Sequence, residues 1–469
     1  ELVRLDPQWR CFYEDGTRLD LHQDPARMAD AIDRLPGAAG QGAAYRRFLD
    51  HSRRMLRLSE RVFFYKDLGG MLDLMKRPPP RDPEILRDVL AMRPHRTMAS
   101  TVHREISEPH VRQMVEHFLQ YVGSSPFLAP SILSLIAAAQ VDHGCWYAKG
   151  GTREVARTLE RVLREQGAEI VTGTGVRAIL REGERGGGSG SGGRSRRAVG
   201  VELDDGRRID ADAVVSNADV RRTHRDLLGD SASIAAARRI SRRWAPACSG
   251  IVLYLGLKRR YDHLRHHNFM FSADGRREFD EIYGRGEPAS DPTLYVCAPS
   301  RSDETQAPPG CEALYVLVHT APLGPGSRWH GAGGLLERER PRVLAKLRRH
   351  GLEDIERQIE VERILTPEEI EALYGSEHGS IYGLASHGRL RGGFKPSNRS
   401  PLVRGLYFCG GSVNPGPGVP MVLMSGVTAA NAIAEDLGIA APGVAECAAS
   451  EAGSSREQAA RADAAAVGA

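Results

Sequence analysis

The stretch that decides the fold lies near the end of the chain, residues 405–437, GLYFCGGSVNPGPGVPMVLMSGVTAANAIAEDL. It predicts a buried strand, a turn rich in glycine and proline, and a helix that begins near Pro420. Glycines leave the main chain open to a ligand because no Cβ intrudes. The free amides of a helix N-terminus attract an anion or an electron-rich ring edge. This pattern favours a ligand-binding loop over a plain tight turn. The turn contains four glycines: Gly410, Gly411, Gly416 and Gly418.

Two earlier segments have a related pattern. Residues 144–151, GCWYAKGG, lead into a predicted helix over 152–166 that Gly167 closes. Residues 211–219, ADAVVSNAD, form an apolar strand that ends in small and polar residues. In α/β cofactor domains such strand ends lie beside the ligand. For residues 144–151 the pattern is equally consistent with a packed aromatic strand end.

Hydrophobic periodicity predicts the rest of the chain. Residues 1–21 form a hairpin around an Asp15-Gly16 turn, residues 25–120 are mostly helical, and Ser107 caps a helix over 107–122. The glycine-rich residues 186–193 predict a flexible hairpin tip. Residues 330–360 are helical. Further strands are predicted at 168–180 (a strand pair), 198–203, 208–216, 251–257, 293–298 and 313–319, the last three forming an antiparallel sheet.

Composition narrows the class of protein. The 469 residues include 64 Lys and Arg against 60 Asp and Glu, so the net charge of +4 is too small to indicate a nucleic-acid partner. Seven scattered cysteines predict free thiols in a reducing compartment rather than a disulfide framework or a zinc site. No run of about 18 apolar residues could span a bilayer. We therefore expect a cytoplasmic protein without a resident metal, and the oligomeric state stays open.

In this order, the motifs resemble those of bacterial-type phytoene desaturases, a carotenoid desaturase family of the flavin amine-oxidase-like superfamily. Residues 146–152 are similar to that family's W-[YF]-P-x-GG-T segment, with Ala148 in the proline position. Residues 214–219 resemble its V-x-SNAD strand end, and residues 406–420 its closing glycine-proline motif. The resemblance implies an α/β fold. It consists of a three-layer, Rossmann-like FAD-binding domain, an antiparallel-sheet substrate domain and a helical membrane-facing part.

The family's opening strand and G-x-G-x-x-G turn do not occur in this sequence. By position they are expected before Glu1, so the FAD-binding domain is expected to be incomplete at its N-terminus and to bind FAD poorly. The implied division is substrate-domain strands at 1–24, a helical substrate- and membrane-facing part at 25–141, FAD-domain parts at 142–228 and 401–440, a substrate domain at 229–400 and a disordered tail at 441–469.

The implied cofactor is FAD. The main chain at Val176 is expected to meet the adenine, and the turn at Gly150 and Gly151 to lie near the isoalloxazine ring. The closing motif is expected to hold the pyrophosphate, the ribityl chain and the flavin ring through Gly411, Ser412, Gly418, Val419 and Met421. No catalytic acid or base is identified. The polar candidates Asp142, His143, Glu377 and His378 fit structural or surface roles better.

The implied substrate is a long-chain polyene hydrocarbon that gives a hydride from an allylic carbon to the flavin. Such a chain has no polar group for a protein to bind, and a lipid bilayer accommodates it as well as an apolar protein cavity does. We therefore expect a peripheral enzyme at the inner face of the membrane. The docking face would include Phe63, Phe64, Tyr65, Met71, Leu72 and Leu74, near Lys66, Lys76 and Arg77. Ordinary core packing is equally consistent with these residues.

Several alternatives share the scaffold. Within the enzyme class they are a carotenoid isomerase, a ketolase- or hydroxylase-like oxidation and a retinol saturase. Outside it they are a non-redox lipid carrier and an inactive truncated copy. The glycine-rich loop at 410–418 argues against a carrier, which would not need it.

Overall fold

A computed structural model describes residues 1–70, 83–182 and 197–440. Several expectations fall outside these ranges. They are the docking residues Met71, Leu72, Leu74, Lys76 and Arg77, the glycine-rich insertion at 186–193, and the tail at 441–469. The six cysteines within the described ranges are all free thiols.

The helices and strands are named in chain order. The helices are α1 (Pro25–Asp33), α2 (Gln41–Val62), α3 (Pro83–Ala91), α4 (Met98–Glu105), α5 (Pro109–Glu116), α6 (Leu135–His143), α7 (Arg153–Glu165), α8 (Val220–Arg222), α9 (Ser231–Arg243), α10 (Gly275–Asp280), α11 (Leu335–Arg349), α12 (Ile355–Gln358), α13 (Pro367–Tyr374) and α14 (Val419–Leu437). The strands are β1 (Leu2–Leu5), β2 (Trp9–Phe12), β3 (Arg18–Leu21), β4 (Cys145–Ala148), β5 (Val176–Arg181), β6 (Ala198–Leu203), β7 (Arg208–Asp210), β8 (Val214–Ser216), β9 (Ser249–Leu257), β10 (His267–Met270), β11 (Leu294–Cys297), β12 (Glu312–Thr320), β13 (Ile359–Leu365) and β14 (Leu406–Phe408).

A seven-stranded sheet forms the larger part, in the order β13-β9-β12-β11-β10-β2-β3. Neighbouring strands are antiparallel except β10 and β2, which run parallel. The predicted hairpin is confirmed, with Trp9 opposite Leu21 on either side of the Asp15-Gly16 turn. The three predicted strands of an antiparallel sheet are confirmed as β9, β11 and β12.

Helices cover both faces of this sheet, because each face carries its own row of apolar side chains. On one face Trp9 and Phe269 pack with Phe48, Met114 and Phe118 of the helical residues 25–122. On the other face strands β9 and β12 pack against α11. Each fully buried side chain of this kind contributes about 1.5–3 kcal/mol of transfer free energy. The sheet is therefore held in the middle of a three-layer arrangement.

The glycine-rich segment belongs to a smaller α/β part. Strand β14 pairs in parallel with β8, which lies far upstream in the chain, and all three of its residues are buried. An antiparallel meander of β5, β6 and β7 is attached alongside, where the amide of Ala198 donates to the carbonyl of Arg404 at 2.8 Å. Strand β14 leads through the loop into α14, as the sequence predicts. The predicted domain boundaries stay a prediction.

Two local predictions are wrong. The N-cap of α5 is Glu108, because the helix begins with Pro109, and the Glu108 carboxylate accepts from the Val111 amide at 2.6 Å. The α-helix also ends at Glu116 and continues as a 3₁₀ turn over His117–Val122. Within 168–180, only Val176 onward is a strand, since Gly167 and Gly173 have φ angles of +82° and +80° that interrupt an extended chain.

Candidate active site

Asn398 fixes the shape of the closing strand, loop and helix. Its buried side-chain amide donates to the carbonyls of Phe408 at 3.1 Å and Asn414 at 3.0 Å, and to the Ser425 hydroxyl at 3.1 Å. The Ser425 hydroxyl also accepts from the Gly410 amide at 3.1 Å. One side chain therefore connects β14, the loop and α14, and the loop has little freedom to change shape.

The loop leaves unpaired backbone donors at its end. Gly416 and Gly418 have φ angles of +125° and +108°, a backbone region that residues with a Cβ rarely adopt. Gly418 is the N-cap of α14 and provides no capping side chain. The first-turn amides of Val419 and Met421 have no partner within the helix, and Pro420 has no amide hydrogen. A helix start of this kind fits the phosphate or the electron-rich ring edge of a dinucleotide cofactor.

The predicted site residues fall into three places. Gly411, Ser412, Gly418, Val419 and Met421 all belong to the same loop and helix start, and the Ser412 hydroxyl accepts from the Val220 amide at 3.0 Å.

Gly150 and Gly151 lie in the turn between β4 and α7. There the Asp303 carboxylate accepts from the Gly150 amide at 2.8 Å and from the Tyr147 hydroxyl at 3.0 Å. Val176 opens β5, opposite Leu203, and is exposed. The assignment of all eight residues to FAD stays a prediction.

An apolar cavity of about 310 Å³ ends on this loop. Its wall is formed by α2, the Ile132–Ile136 segment and Phe394, and it meets the loop at Pro415, Pro417 and Met421. At the surface its rim includes Val89 and Leu390, both exposed, and Arg389. The lining therefore suits a hydrocarbon rather than a charged molecule.

A second cavity of about 230 Å³ lies on the other side of the His117–Val122 turn, with a wall that is mostly apolar but contains buried hydrogen-bonding side chains. We call it the polar cavity; its lining includes Gln120, Tyr121, His319 and Tyr382. A Cβ placed on Gly418 would lie 3.9 Å from the Tyr121 carbonyl oxygen, and one on Gly411 would lie 3.5 Å from that of Tyr382. The glycine-rich loop therefore lies close to both cavities.

Lys395 is an unusual group beside the loop. It is 1% exposed, and its Nζ has no hydrogen-bond partner among the described residues. Its Cε lies 3.5 Å from the position of a Cβ on Gly416. Burial lowers the pKa of the Lys395 amine to about 7, because a charged amine without a partner is poorly solvated there.

Three of the four polar candidates considered for catalysis have structural partners. Asp142 is ion-paired with Arg53 at 2.7 Å, and Glu377 with Arg225 at 2.6 Å. His378 lies next to Glu377 and is half exposed at the side chain. These contacts agree with structural roles for the three residues.

One group in the described ranges has the donor spacing of a metal site. The ligand atoms of His266, His267 and Cys297 lie within 4.8 Å of one another. The Ser302 hydroxyl is hydrogen-bonded to Nδ1 of His266 at 2.8 Å, and the Tyr295 hydroxyl is hydrogen-bonded to Nδ1 of His267 at 2.8 Å. Those hydrogen bonds account for the orientation of both rings without a metal ion, and the absence of a resident metal stays a prediction.

Sequence reasoning did not find Asn398, Lys395, Gln120 or Tyr382. The polar residues of FKPSN, 394–398, just before a buried strand were a usable signal for the first two. Gln120 and Tyr382 carry no local signal, since each becomes part of a site only through packing against distant segments.

The comparisons with known proteins agree with this geometry. Residues 3–363 match the family described as flavin containing amine oxidoreductase. A 4,4'-diapolycopene oxygenase of Methylomonas sp is 38% identical over 437 residues, which cover 93% of this chain and 83% of the relative. A 4,4'-diaponeurosporene oxygenase of Staphylococcus haemolyticus is 36% identical over 432 residues, covering 92% and 81%.

Solved structures share the fold at low identity. A putrescine oxidase with a redesigned cofactor-binding site aligns with a TM-score of 0.56 at 13% identity and covers 93% of this chain and 83% of that one. Cyclohexylamine oxidase from Brevibacterium oxydans aligns with a TM-score of 0.51 at 15% identity, with the same coverage.

The chain belongs to the flavin-containing amine oxidoreductase family. It is an FAD-dependent oxidoreductase with the α/β FAD-binding fold and an antiparallel-sheet substrate part. The resemblance inferred from the three sequence motifs is confirmed, as are FAD and the enzyme class. None of the helices in the described ranges is long and apolar enough to cross a bilayer.

Proposed function

We propose that this protein oxidises a long-chain polyene hydrocarbon of the carotenoid class, with FAD as the acceptor of the hydride. The observation that carries the proposal is the apolar cavity, which runs from an exposed apolar rim to the loop at Pro415, Pro417 and Met421. A hydrocarbon chain can be recognised only by shape and by removal from water, and this lining supplies both.

Two reactions on such a chain are compatible with the scaffold. The curated relatives at 36–38% identity are oxygenases of 4,4'-diapolycopene and 4,4'-diaponeurosporene, which supports oxidation at a carotenoid with introduction of oxygen. The motifs at 146–152, 214–219 and 406–420 support the second candidate, desaturation of a phytoene-like substrate. Oxygenation is the first candidate because the relatives named so match more than nine-tenths of this chain.

The residues of this chain position the substrate and keep water away. Val62, Ile132, Leu135 and Ile136 form a dry wall along the apolar cavity. Met421 lines the cavity and also belongs to the first turn of α14, so it is the point where substrate and cofactor would meet. Bound FAD would supply the electron acceptor.

The rim of the apolar cavity suggests where the substrate enters. Phe63 and Phe64, expected on a docking face, instead line the cavity, and Phe64 is buried. The exposed apolar residues at the rim are Val89 and Leu390, 36% and 63% exposed, beside Arg389. We propose that this rim rests on a membrane surface and takes the substrate directly from the lipid phase.

Liposome flotation tests the docking proposal. Leu390→Asp should reduce co-flotation of the protein with anionic vesicles, because a charge at the rim opposes insertion. The matched control is Leu373→Asp, a similarly exposed leucine on α13 that does not line the cavity. Equal flotation of both variants and the unchanged protein would contradict docking through this rim.

Product analysis tests the function itself. The complete gene would be expressed in separate cell lines that accumulate phytoene or a fully unsaturated linear carotenoid, and the pigments separated by chromatography. Oxygenated products support the first candidate, and new double bonds without oxygen support the second. A change of double-bond geometry alone, or a saturated product, would instead support an isomerase or a saturase. Polyene that binds without being altered would support a carrier or an inactive copy.

A further inference from the structure

The polar cavity is unexpected in a protein that handles hydrocarbon. Trp9, His117, Gln120 and His319 line it and are all buried. It is bounded by the His117–Val122 turn on one side and by strands of the seven-stranded sheet on the other. A pure hydrocarbon gains nothing from these polar groups, which it could not hydrogen-bond.

The walls of this cavity carry hydrogen-bonding groups but no formal charge. Among the described residues that line it there is no Asp, Glu, Lys or Arg. Burial lowers the pKa of His117 to about 3, of His267 to about 3 and of His319 to about 4, so all three rings are neutral at pH 7. A carboxylate or ammonium group would be desolvated here without a counter-charge, which is costly.

Gln120 has hydrogen-bonding capacity that the described residues leave unused. Both its Nε2 and its Oε1 are buried and have no partner among them. By contrast, Gln8 and Gln140 line the same cavity and are hydrogen-bonded to each other, with Nε2 of Gln140 donating to Oε1 of Gln8 at 2.9 Å. Leaving a buried amide unpaired costs about 1–3 kcal/mol, so an incoming ligand that pairs with it recovers that free energy.

The position of the polar cavity relates it to the proposed reaction. Tyr121 and Val122 are neighbours on the same turn, yet Tyr121 lines the polar cavity and Val122 lines the apolar one. Tyr382 lies across the polar cavity, where its hydroxyl is 3.4 Å from Nε2 of His319. Since the glycine-rich loop lies close to the main-chain carbonyls of Tyr121 and Tyr382, both cavities border the place where FAD is expected.

We propose that the polar cavity binds an uncharged oxygen-bearing end of the polyene chain, a terminal hydroxyl or carbonyl, through the Gln120 side chain and the imidazoles that line it. This inference rests on the proposed function. The hydrocarbon part of an already oxidised chain would lie in the apolar cavity and run past the glycine-rich loop, which lies close to both cavities, so that its polar end reaches Gln120. A chain that already bears a hydroxyl or carbonyl is then retained, whereas a chain that ends in a carboxylate binds weakly because the cavity lining has no counter-charge.

Binding measurements on the full-length, FAD-loaded protein in detergent micelles test the proposal. The probes are a linear polyene hydrocarbon and its terminal alcohol, aldehyde and carboxylate of equal length, and the readout is quenching of tryptophan fluorescence. We expect the alcohol and the aldehyde to bind tighter than both the hydrocarbon and the carboxylate. Gln120→Leu should reduce that preference by about 2- to 12-fold, the range for loss of one neutral hydrogen bond.

Two further variants keep the outcome interpretable. His319→Leu should reduce the preference in the same direction, and it replaces Gln120→Leu if that variant does not fold. Ile136→Ala, in the wall of the apolar cavity, should weaken all four probes and leave their ratios unchanged.

The outcomes separate the two proposals. Equal affinity for hydrocarbon, alcohol and aldehyde, or a preference that both polar-cavity variants leave intact, would overturn the end-group proposal while the proposed function stands; the cavity would then hold only water. Tightest binding of the carboxylate would overturn it as well. Failure of every probe to bind would count against the proposed function itself.

Discussion

Replacing Lys395 by methionine should stabilise the protein at neutral and acidic pH. The lysine amine is fully buried and has no hydrogen-bond partner among the described residues, and burial lowers its pKa to about 7 from 10.5. Methionine keeps a long unbranched side chain and removes the amine, which in the folded protein must either stay charged without a partner or lose its proton.

The size of the effect follows from the two pKa values. Between pH 7 and 10.5 the unfolded chain carries the proton on Lys395 and the folded chain does not, so stability rises as the pH increases through this window. Each pH unit of that window corresponds to ~1.4 kcal/mol, which gives a penalty of about 5 kcal/mol at and below pH 7. Lys395→Met should therefore stabilise the protein most at pH 6, where the penalty is largest, and have almost no effect above pH 10.5, where the penalty has vanished.

Thermal unfolding followed by circular dichroism at pH 6, 8 and 10 measures the difference. The matched control is Lys346→Met, since Lys346 is equally buried but paired with Asp291 at 2.9 Å and Glu14 at 3.1 Å. Removing that amine should destabilise the protein because two carboxylates lose their buried partner and keep only the half-exposed Arg349 guanidinium as a cation in common. If Lys395→Met lowers the unfolding temperature at pH 6, or shifts it equally at all three pH values, the reasoning about an unpaired buried amine is refuted.

Three other changes test the site. Asn398→Leu removes three hydrogen bonds and should destabilise the protein by about 3 kcal/mol while lowering its flavin content, read from absorbance at unchanged protein concentration. Gly418→Ala forces a Cβ onto a φ of +108° and should cost about 1–3 kcal/mol with loss of flavin. Gly426→Ala, in open space within α14, should keep the flavin and stabilise the protein by up to about 1 kcal/mol. Asp303→Asn replaces the carboxylate that accepts from the Gly150 amide and so weakens that hydrogen bond; proteolytic cleavage in the β4–α7 turn should increase. The first two predictions are contradicted if Asn398→Leu or Gly418→Ala leaves the flavin content and the unfolding free energy unchanged. The third is contradicted if Asp303→Asn leaves the rate of cleavage in that turn unchanged.

The sequence by itself determined the local elements and the family. Short apolar runs predict β9, β11 and β12, and the glycines and prolines of 405–420 predict a turn between a strand and a helix, because these patterns depend on neighbours in the chain. Two features were missed: the N-cap at Glu108, where the helix begins with Pro109, and the absence of a strand at 168–175, where Gly167 and Gly173 have positive φ angles.

Only the tertiary structure decided what surrounds the site. Strand β14 pairs with β8, which lies far upstream in the chain, and Lys395 is buried beside Gly416. The polar cavity is lined by residues as far apart in the chain as Gln8 and Tyr382. The physical reason is that burial, desolvation and the pairing of polar groups depend on which segments pack together. A pattern of near neighbours specifies how each segment folds, but the packing between segments determines which side chains are left facing a ligand.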